Sequence, residues 1–587
     1  MEPKKTRSWH RLKKINLKSV DQQSKKVEVA TARHARKFLL GRLENLQHIR
    51  RHLIGWLTLL IVLIGLNAAQ IIFNQNYVSV AQPSENKAYA EGVLGPINNL
   101  NPLFASTDAE ISASKLMFSS LLAYDTDGKL QSDVAQNYEV SPDGRTYTVN
   151  LKPDVQWHDG KQLTSKDVVY TVQAMQNSLT GSRQSSSWQN IQVSANGPQQ
   201  VVFTLPTSYA PFASALTFPI LPEHILGKVA PEELQENEFG KHPIGSGPFK
   251  FVDLQTIDVN KEKSALQLTR YDNYYTGPAK LSRFSLYVYG TRDELVKGIQ
   301  YHEVNAASGV GVVARGLKVA DVTINNGVFA LYRTDNTILK DKNIRKALTQ
   351  GLDRQKLRAQ LGDKKPLEGP IINNQTQTAN LVFQQKYDFT VANQLLDQGG
   401  WIKGSDGVRH KDGQPLELRL VAVDTVNYKR ITKLLNEQWQ KLGIKVQIQL
   451  IDPEQIQQVI LRPRAYDILV YELSQGGDPD GYAFWHSSQA SSSGLNFSNY
   501  VSSSADDALL TARGRSNITL RDAKYANFAK RWVEDVPAVA LYRSSLKYTT
   551  TDGTQSLNST DSLVNATDRY YHVTDWSSEP DATYNTP

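Results

Sequence analysis

The run from Leu53 to Phe73 carries no charged side chain, and the uncharged stretch continues to Ser84. A bilayer is crossed by about 20 apolar residues in helical form, and this run supplies that length with Asn67 and Gln70 as its strongly polar interruptions. Beyond it the pattern shortens. Tyr147, Val149 and Leu151 alternate with Thr146, Thr148 and Asn150, the period of two that marks a half-buried strand. Ser141-Pro142-Asp143-Gly144 before it and His158-Asp159-Gly160 after it are turn signatures. Thr164 and Asp167 then have the spacing of a capping box, and Val168, Val169, Val172 and Met175 share one helical face behind them. Ile111 to Leu122 is compatible with a helix, and Ile344, Ala347, Leu348 and Leu352 give a later one its apolar face. Further on, Leu416, Leu418 and Leu420 alternate with Glu417 and Arg419, Tyr428 to Leu442 reads as helix, and Ile444 to Ile448 as strand. That β-α-β succession predicts an α/β lobe.

Length and charge sharpen the picture. At 587 residues the chain exceeds one ordinary domain, so two or three bodies with their own cores are expected. The net charge of +8 is not spread evenly. Residues 1–51 hold fifteen Lys or Arg against four acids, +11, which leaves −3 for all that follows. The basicity is a local tail, so nucleic acid is not the expected partner of the large body. Basic residues favour the cytoplasmic side, which predicts a cytoplasmic tail at 1–51, a transmembrane anchor at 52–73 with bilayer contact through 53–73, and an exterior remainder. A cleaved signal peptide is the alternative, but the cleavage-like Ala88-Tyr89-Ala90 lies far past the apolar run, and a 51-residue leader is long for a signal. The tail itself reads either as an orientation signal touching anionic lipid or as an amphipathic helix at 27–51 facing a cytoplasmic partner. Residues 74–94 are expected to form a spacer.

Enzyme signatures are weak. The absence of cysteine excludes disulfides, thiolate metal sites, cysteine nucleophiles and a lipidated cysteine anchor. Gly309, Gly311 and Gly316 have the wrong spacing for a dinucleotide loop, and the LKVADVTINN that follows reads as strand and turn instead of helix. Gly245-Ser246-Gly247 lacks the Lys-Ser/Thr of a phosphate loop. His48 and His52 have helical metal-pair spacing but sit among arginines without an adjoining Glu. His158, inside a turn, is expected to be structural. No Gly-x-Ser-x-Gly occurs. The expectation is therefore no catalytic residue, no metal and no cofactor.

Taken together, SPDG, the strand, WHDG and the Leu163-Thr164-x-x-Asp167-Val168-Val169 helix resemble the family 5 extracytoplasmic solute-binding proteins, the dipeptide-, oligopeptide- and nickel-binding components of ABC importers. Leu100-Asn101-Pro102, Pro222-Glu223-His224, Gly245-Ser246-Gly247-Pro248-Phe249, Tyr274-Tyr275 and the Asp341 to Leu348 helix followed by Asp353-Arg354 extend the resemblance over roughly residues 95–545. It implies a two-lobed periplasmic-binding-protein-like α/β fold of class II with an enlarged first lobe, here preceded by one transmembrane helix. Lobe I is expected at 95–328, completed by 540–576, lobe II at 329–539, and a disordered tail at 577–587. The implied function is capture of a peptide or related small solute by lobe closure and delivery to ABC permease subunits. A membrane-anchored sensor without transport is the alternative, and a secreted hydrolase a third reading that needs a Ser, a His and an acid within reach of one another.

The stretch that looks most functional follows the strand at Tyr466–Val470 and contains Gly476-Gly477-Asp478-Pro479-Asp480. It is similar to the family's Gly-Asp-Pro-Asp loop, where an aspartate three residues before the acid–Pro pair binds a peptide α-ammonium. Here that position is Gln475, a neutral amide that cannot supply the charge-assisted bond. Either Glu472, Asp478 or Asp480 takes over the ammonium, or the ligand lacks a free amino terminus. Tyr471 and Gly477 complete the expected loop site. Asp478 and Asp480 can equally be turn formers, and Tyr482 and Trp485 either stack on ligand or pack in the core. Ser106, Thr107 and Asp108 correspond to the family segment that lines the cleft opposite. Arg462 or Arg464 is a candidate for a ligand carboxylate, with a solvated surface position as the alternative.

Overall fold

The structure, a computed structural model, describes residues 58–65, 88–372, 376 and 383–578. Residues 58–65 are helical with exposed apolar side chains, Leu59 to Ile64 being 49–62% accessible. Among the described residues no helix is long and apolar enough to cross a membrane. Most of the expected anchor, the basic tail and the histidine pair at 48 and 52 lie outside the described residues.

The large body begins earlier than expected. Ala88–Leu94 is strand β1, with Tyr89 and Val93 fully buried, so a spacer cannot run to residue 94. Small residues around Tyr89 hide a strand that composition reads as linker. Helix α1 (Asp108–Met117) follows, with a complete capping box between Thr107 and Glu110. It starts before Ile111 and stops short of Leu122. The Met117 carbonyl, which a longer helix would offer to its own next turn, instead accepts the Gly247 N–H at 2.8 Å.

A four-stranded antiparallel sheet stands next. Strands β2 (Ala135–Val140), β3 (Thr146–Leu151), β4 (Gln192–Ala195) and β5 (Gln200–Thr204) run in the order β2-β3-β5-β4. Tyr147, Val149 and Leu151 turn inward from β3, as the alternation requires. Helix α2 (Ser165–Gln176), capped by Thr164 with Asp167, lays Val168, Val172 and Met175 on this sheet.

Among the described residues the main sheet has eleven strands. In chain order its further members are β6 (Phe249–Asp258), β7 (Lys263–Arg270), β8 (Arg283–Tyr289), β9 (Ala306–Ser308) and β10 (Leu317–Tyr332). After helix α3 (Lys342–Gln350) come β11 (Glu417–Val423), helix α4 (Val426–Lys441), β12 (Lys445–Ile451) and β13 (Ile468–Ser474). Helices α5 (Ser503–Arg513) and α6 (Ile518–Asp535) precede the long β14 (Ala538–Thr551). The order is β12-β11-β13-β10-β14-β9-β1-β8-β7-β6, with Ser562–Leu563 added alongside β10. The parallel pair β11–β12 with α4 between them is the β-α-β unit read from the leucine alternation.

Clusters of core flank this sheet in each lobe. One gathers Tyr89, Val149, Trp157, Phe203, Phe284 and Trp576 and belongs to lobe I. The others gather Leu348, Leu420 and Trp439 on one side and Phe329, Trp485 and Trp532 on the other, and belong to lobe II. Among the described residues, only β10 and β14 run through both lobes. Val322 of β10 lies in the first core and Val328 in the second, and Leu546 and Leu541 of β14 divide likewise. The expected turn in LKVADVTINN is absent, because Asn325, Asn326 and Gly327 continue β10 through an irregular register against β14. The chain closes lobe I with a 3-10 segment, Ala566–Asp575, and Ser577–Ser578 pairs with Thr554–Gln555. The tail from 579 lies outside the described residues.

Candidate functional site

A cleft lies between the lobes. A cavity of about 780 Å³ is walled by α1 and the 3-10 segment of lobe I and by β10, with Asp108, Lys115, Trp188, Asn326, Asn565 and Asp568 among its lining residues. A second space of about 400 Å³ continues past Tyr124, with Tyr209 of lobe I on one side and the loop Ser474 to Asp480 of lobe II on the other. The larger is within the usual range of ligand pockets, roughly 300–1,000 Å³.

The loop after β13 holds its own shape. Gly476 takes a φ of +75°, the Asp478 carboxylate accepts the Asp480 N–H at 3.0 Å, and the Asp480 carboxylate accepts the Tyr482 N–H at 3.1 Å. Asn325 of β10 donates its side-chain amide to the Gly476 carbonyl at 3.0 Å. The strand that joins the lobes therefore holds the loop directly.

The side chains of Gln475, Asp478 and Asp480 in that loop already have protein partners. Gln475 accepts the Ile372 N–H at 2.6 Å and donates to the Pro479 carbonyl at 2.9 Å. Asp478 pairs with Arg521 of α6 at 2.5 Å and Asp480 with Arg513 of α5 at 2.9 Å. Burial raises the Asp478 carboxyl above its ordinary value against the pull of Arg521. For Arg521 burial alone would lower the guanidinium, but the Asp478 carboxylate outweighs it and the net shift is upward. Glu472 accepts from Asn326 at 2.6 Å. Each of the three acids named as possible ammonium acceptors, Glu472, Asp478 and Asp480, thus has a protein partner.

The remaining expected residues divide. Asp108 lines the cavity, whereas the Ser106 hydroxyl donates to the Glu110 carboxylate, and Thr107 caps α1 by accepting the Glu110 N–H while its hydroxyl donates to the Pro96 carbonyl. Gln475, Gly477, Asp478 and Asp480 line the smaller space. Tyr471, half-buried, packs edge-on against Phe497, and Trp485, 1% exposed, is wedged between Phe329 and Trp532 in the core. Tyr482 stacks on His486, and Arg464 is buried, donating to the carbonyls of Leu461, Ser491 and Gly494 instead of facing a ligand. Trp188, Asn326, Asn565 and Asp568 were not expected. The one available signal was Asn565-x-x-Asp568, a capping pattern in the Ser/Thr-rich end of the chain.

Ser488, His486 and Asp506 come near one another but do not form a hydrolytic triad. Ser488 Oγ lies 2.9 Å from His486 Nδ1, but that nitrogen also accepts the Ser488 N–H. Asp506 accepts from the Ser487 N–H at 2.9 Å and its hydroxyl at 2.6 Å, while His486 Nε2 stays 3.9 Å away. This is a capped turn without the base-orienting bond a triad requires. Among the described residues no group of three His, Cys, Asp or Glu side chains is placed to hold a metal.

Comparison with known proteins decides the family. The model of the bacterial extracellular solute-binding proteins, family 5 (middle), matches residues 129–496. The chain belongs to this family. The oligopeptide-binding protein AppA of Bacillus subtilis is 29% identical over 485 residues, 79% of this chain and 87% of the relative. Its structure with a nonapeptide matches with a TM-score of 0.65 at 25% identity, covering 84% of this chain and 99% of that one. The ABC transporter substrate-binding protein CtaP of Listeria monocytogenes shares the fold with a TM-score of 0.71 at 23% identity over 82% of this chain and 99% of that one. Family 5 membership makes the body beyond residue 88 an extracytoplasmic solute-binding domain of mixed α/β fold, related to peptide-binding proteins of ABC transporters.

Proposed function

We propose that the chain is the membrane-anchored binding component of an ABC importer, which captures a peptide or a related small solute by closing two lobes and passes it unchanged to a permease. Residues 53–73 serve as the tether and residues 1–51 remain in the cytoplasm. What carries the reading is the cleft itself, walled by both lobes, with β10 and β14 as the connection about which the lobes can turn. A ligand that contacts both walls favours the closed form by its differential affinity. The acids of the candidate loop are already neutralised, so backbone-directed bonds to neutral groups such as Asn326 and Asn565 supply the recognition.

We infer that the ligand needs no free α-ammonium at this loop. Calorimetric titration with a dipeptide and an oligopeptide series, each free and N-acetylated, checks this. The expected result is that acetylation leaves affinity within about threefold, whereas loss of a charge-assisted bond would cost tenfold or more. Binding that disappears on acetylation would show that an acid of the cleft leaves its arginine for the ligand. Failure of every peptide to bind, free or blocked, would move the ligand to another class of solute.

A further inference from the structure

We propose that Arg513 is the centre of a clasp that ties the two lobes together across the mouth of the cleft, through bonds in which no ligand atom takes part. The inference rests on the closure reading above and concerns the rim of the smaller space at the end of α5, which Arg513 lines. There the Arg513 carbonyl accepts the Ala210 N–H at 2.9 Å, and the Gly514 carbonyl accepts the Ser208 hydroxyl at 2.8 Å. Ser208 and Ala210 belong to lobe I, and the acceptors to lobe II. The Arg513 guanidinium lies 4.0 Å from the ring centroid of Tyr482 in its own lobe and 4.9 Å from that of Tyr209 in the other. Its Nε meanwhile holds Asp480, so one side chain orders the candidate loop and bridges the rim.

A second, independent contact points the same way. Gly477 has no positive φ, so its own backbone does not demand glycine. A Cβ built there would overlap the ring and hydroxyl of Tyr124, which belongs to lobe I. The need for glycine at 477 comes from the opposite lobe, and only when the lobes are together. Arg513 and Gly477 thus act as positioning residues for closure, the first by attaching the rims and the second by letting them meet.

Because the clasp is built from protein atoms alone, it is measurable without knowing the ligand. The chain has no cysteine, so spin labels on Asn196→Cys and Lys433→Cys, exposed positions on lobe I and lobe II, report the interlobe distance in the detergent-solubilised full chain. The doubly labelled parent is expected to show a short-distance population without added solute. Arg513→Ala should move the closed-to-open ratio roughly tenfold toward open, the order expected for a cation–π bridge that excludes water. Arg513→Lys, which keeps a charge for Asp480 but lacks the planar face, should fall between. Gly477→Ala should also open the cleft, and Gly477→Ala with Tyr124→Ala should close it again. The proposal is overturned if the parent shows only long distances. It is equally overturned if folded Arg513→Ala has the parent's distribution, or if Gly477→Ala leaves it unmoved. Should Arg513→Ala fail to fold, the Gly477 pair decides alone. None of these outcomes depends on whether peptides bind.

Discussion

His158 shows how a residue with a chemical reputation is held in a structural role. Its Nδ1 accepts the Gly245 N–H at 3.2 Å, which leaves Nε2 to donate to the Gly247 carbonyl at 3.0 Å. The neutral ring satisfies both, and a second proton would remove the first bond. Burial accordingly lowers its pKa from 6.5 to about 4. In the unfolded chain the ring takes up its proton near pH 6.5, and in the folded one only near 4. The native state therefore loses stability as pH falls through that window and loses no more from this residue below it. A shift of that size corresponds to about 3 kcal/mol between pH 7 and 4. Urea unfolding at pH 7 and 4.5 should show that loss in the parent and a smaller one in His158→Gln; equal slopes would assign the acid sensitivity to other groups. At this scale the chain was partly legible. The turn around His158 and the neutral amide at Gln475 were plain from the residues. The partners that use up Gln475, Asp478 and Asp480 come from Ile372, Arg521 and Arg513, between 33 and 103 positions away in the chain, and no local pattern announces them.

At the scale of elements, local signals fared best where one element meets the same core throughout. The Thr164 box, the inward side of β3 and the leucines of β11 each follow from a single buried face. They fared worst at the ends of lobe I, where β1 and the 3-10 segment are joined by charge inside the core. Glu91 and Arg569 are both fully buried; Arg569 bonds Glu91 Oε1 through Nε at 2.8 Å and Nη2 at 2.6 Å, and adds Ser112, Tyr570 and the Ala566 carbonyl. Burial raises the Glu91 carboxyl and the Arg569 charge opposes the rise. Nothing in the alternation of either segment foretells an ion pair 478 residues apart. Removing one partner leaves a buried charge alone, so Arg569→Met should cost roughly 3–5 kcal/mol, whereas Glu91→Leu with Arg569→Met should recover most of it. Chemical denaturation of the three proteins checks the sign, and a double variant no better than the single one would mean that the pair also serves the packing around Tyr570. Since Asn565 to Asp568 line the cleft, the single variant should weaken solute binding as well as the fold.

On the scale of the whole molecule, the two cores are not beads on a string. Strands β10 and β14, 16 and 14 residues long, run side by side from one core into the other, each giving residues to both. Neither lobe can complete its sheet from one stretch of chain, because lobe I needs β14 and the 3-10 segment that follow lobe II. If lobe II melted first, the far halves of β10 and β14 would lose the partners that bury Val328, Phe329, Val539 and Ala540. The exposed ends would then strip the same strands from lobe I. Two-lobed chains joined by loose linkers unfold in separate steps, but this connection transmits the loss. Scanning calorimetry of the body from residue 83 to 580 should therefore give one transition whose van't Hoff and calorimetric enthalpies agree. A solute that bridges the cleft should move that single transition upward as a whole, by an amount set by its concentration relative to its Kd. Two resolved transitions, with only one of them displaced by solute, would show that β10 and β14 act as a passive hinge and that each lobe holds its half of them unaided.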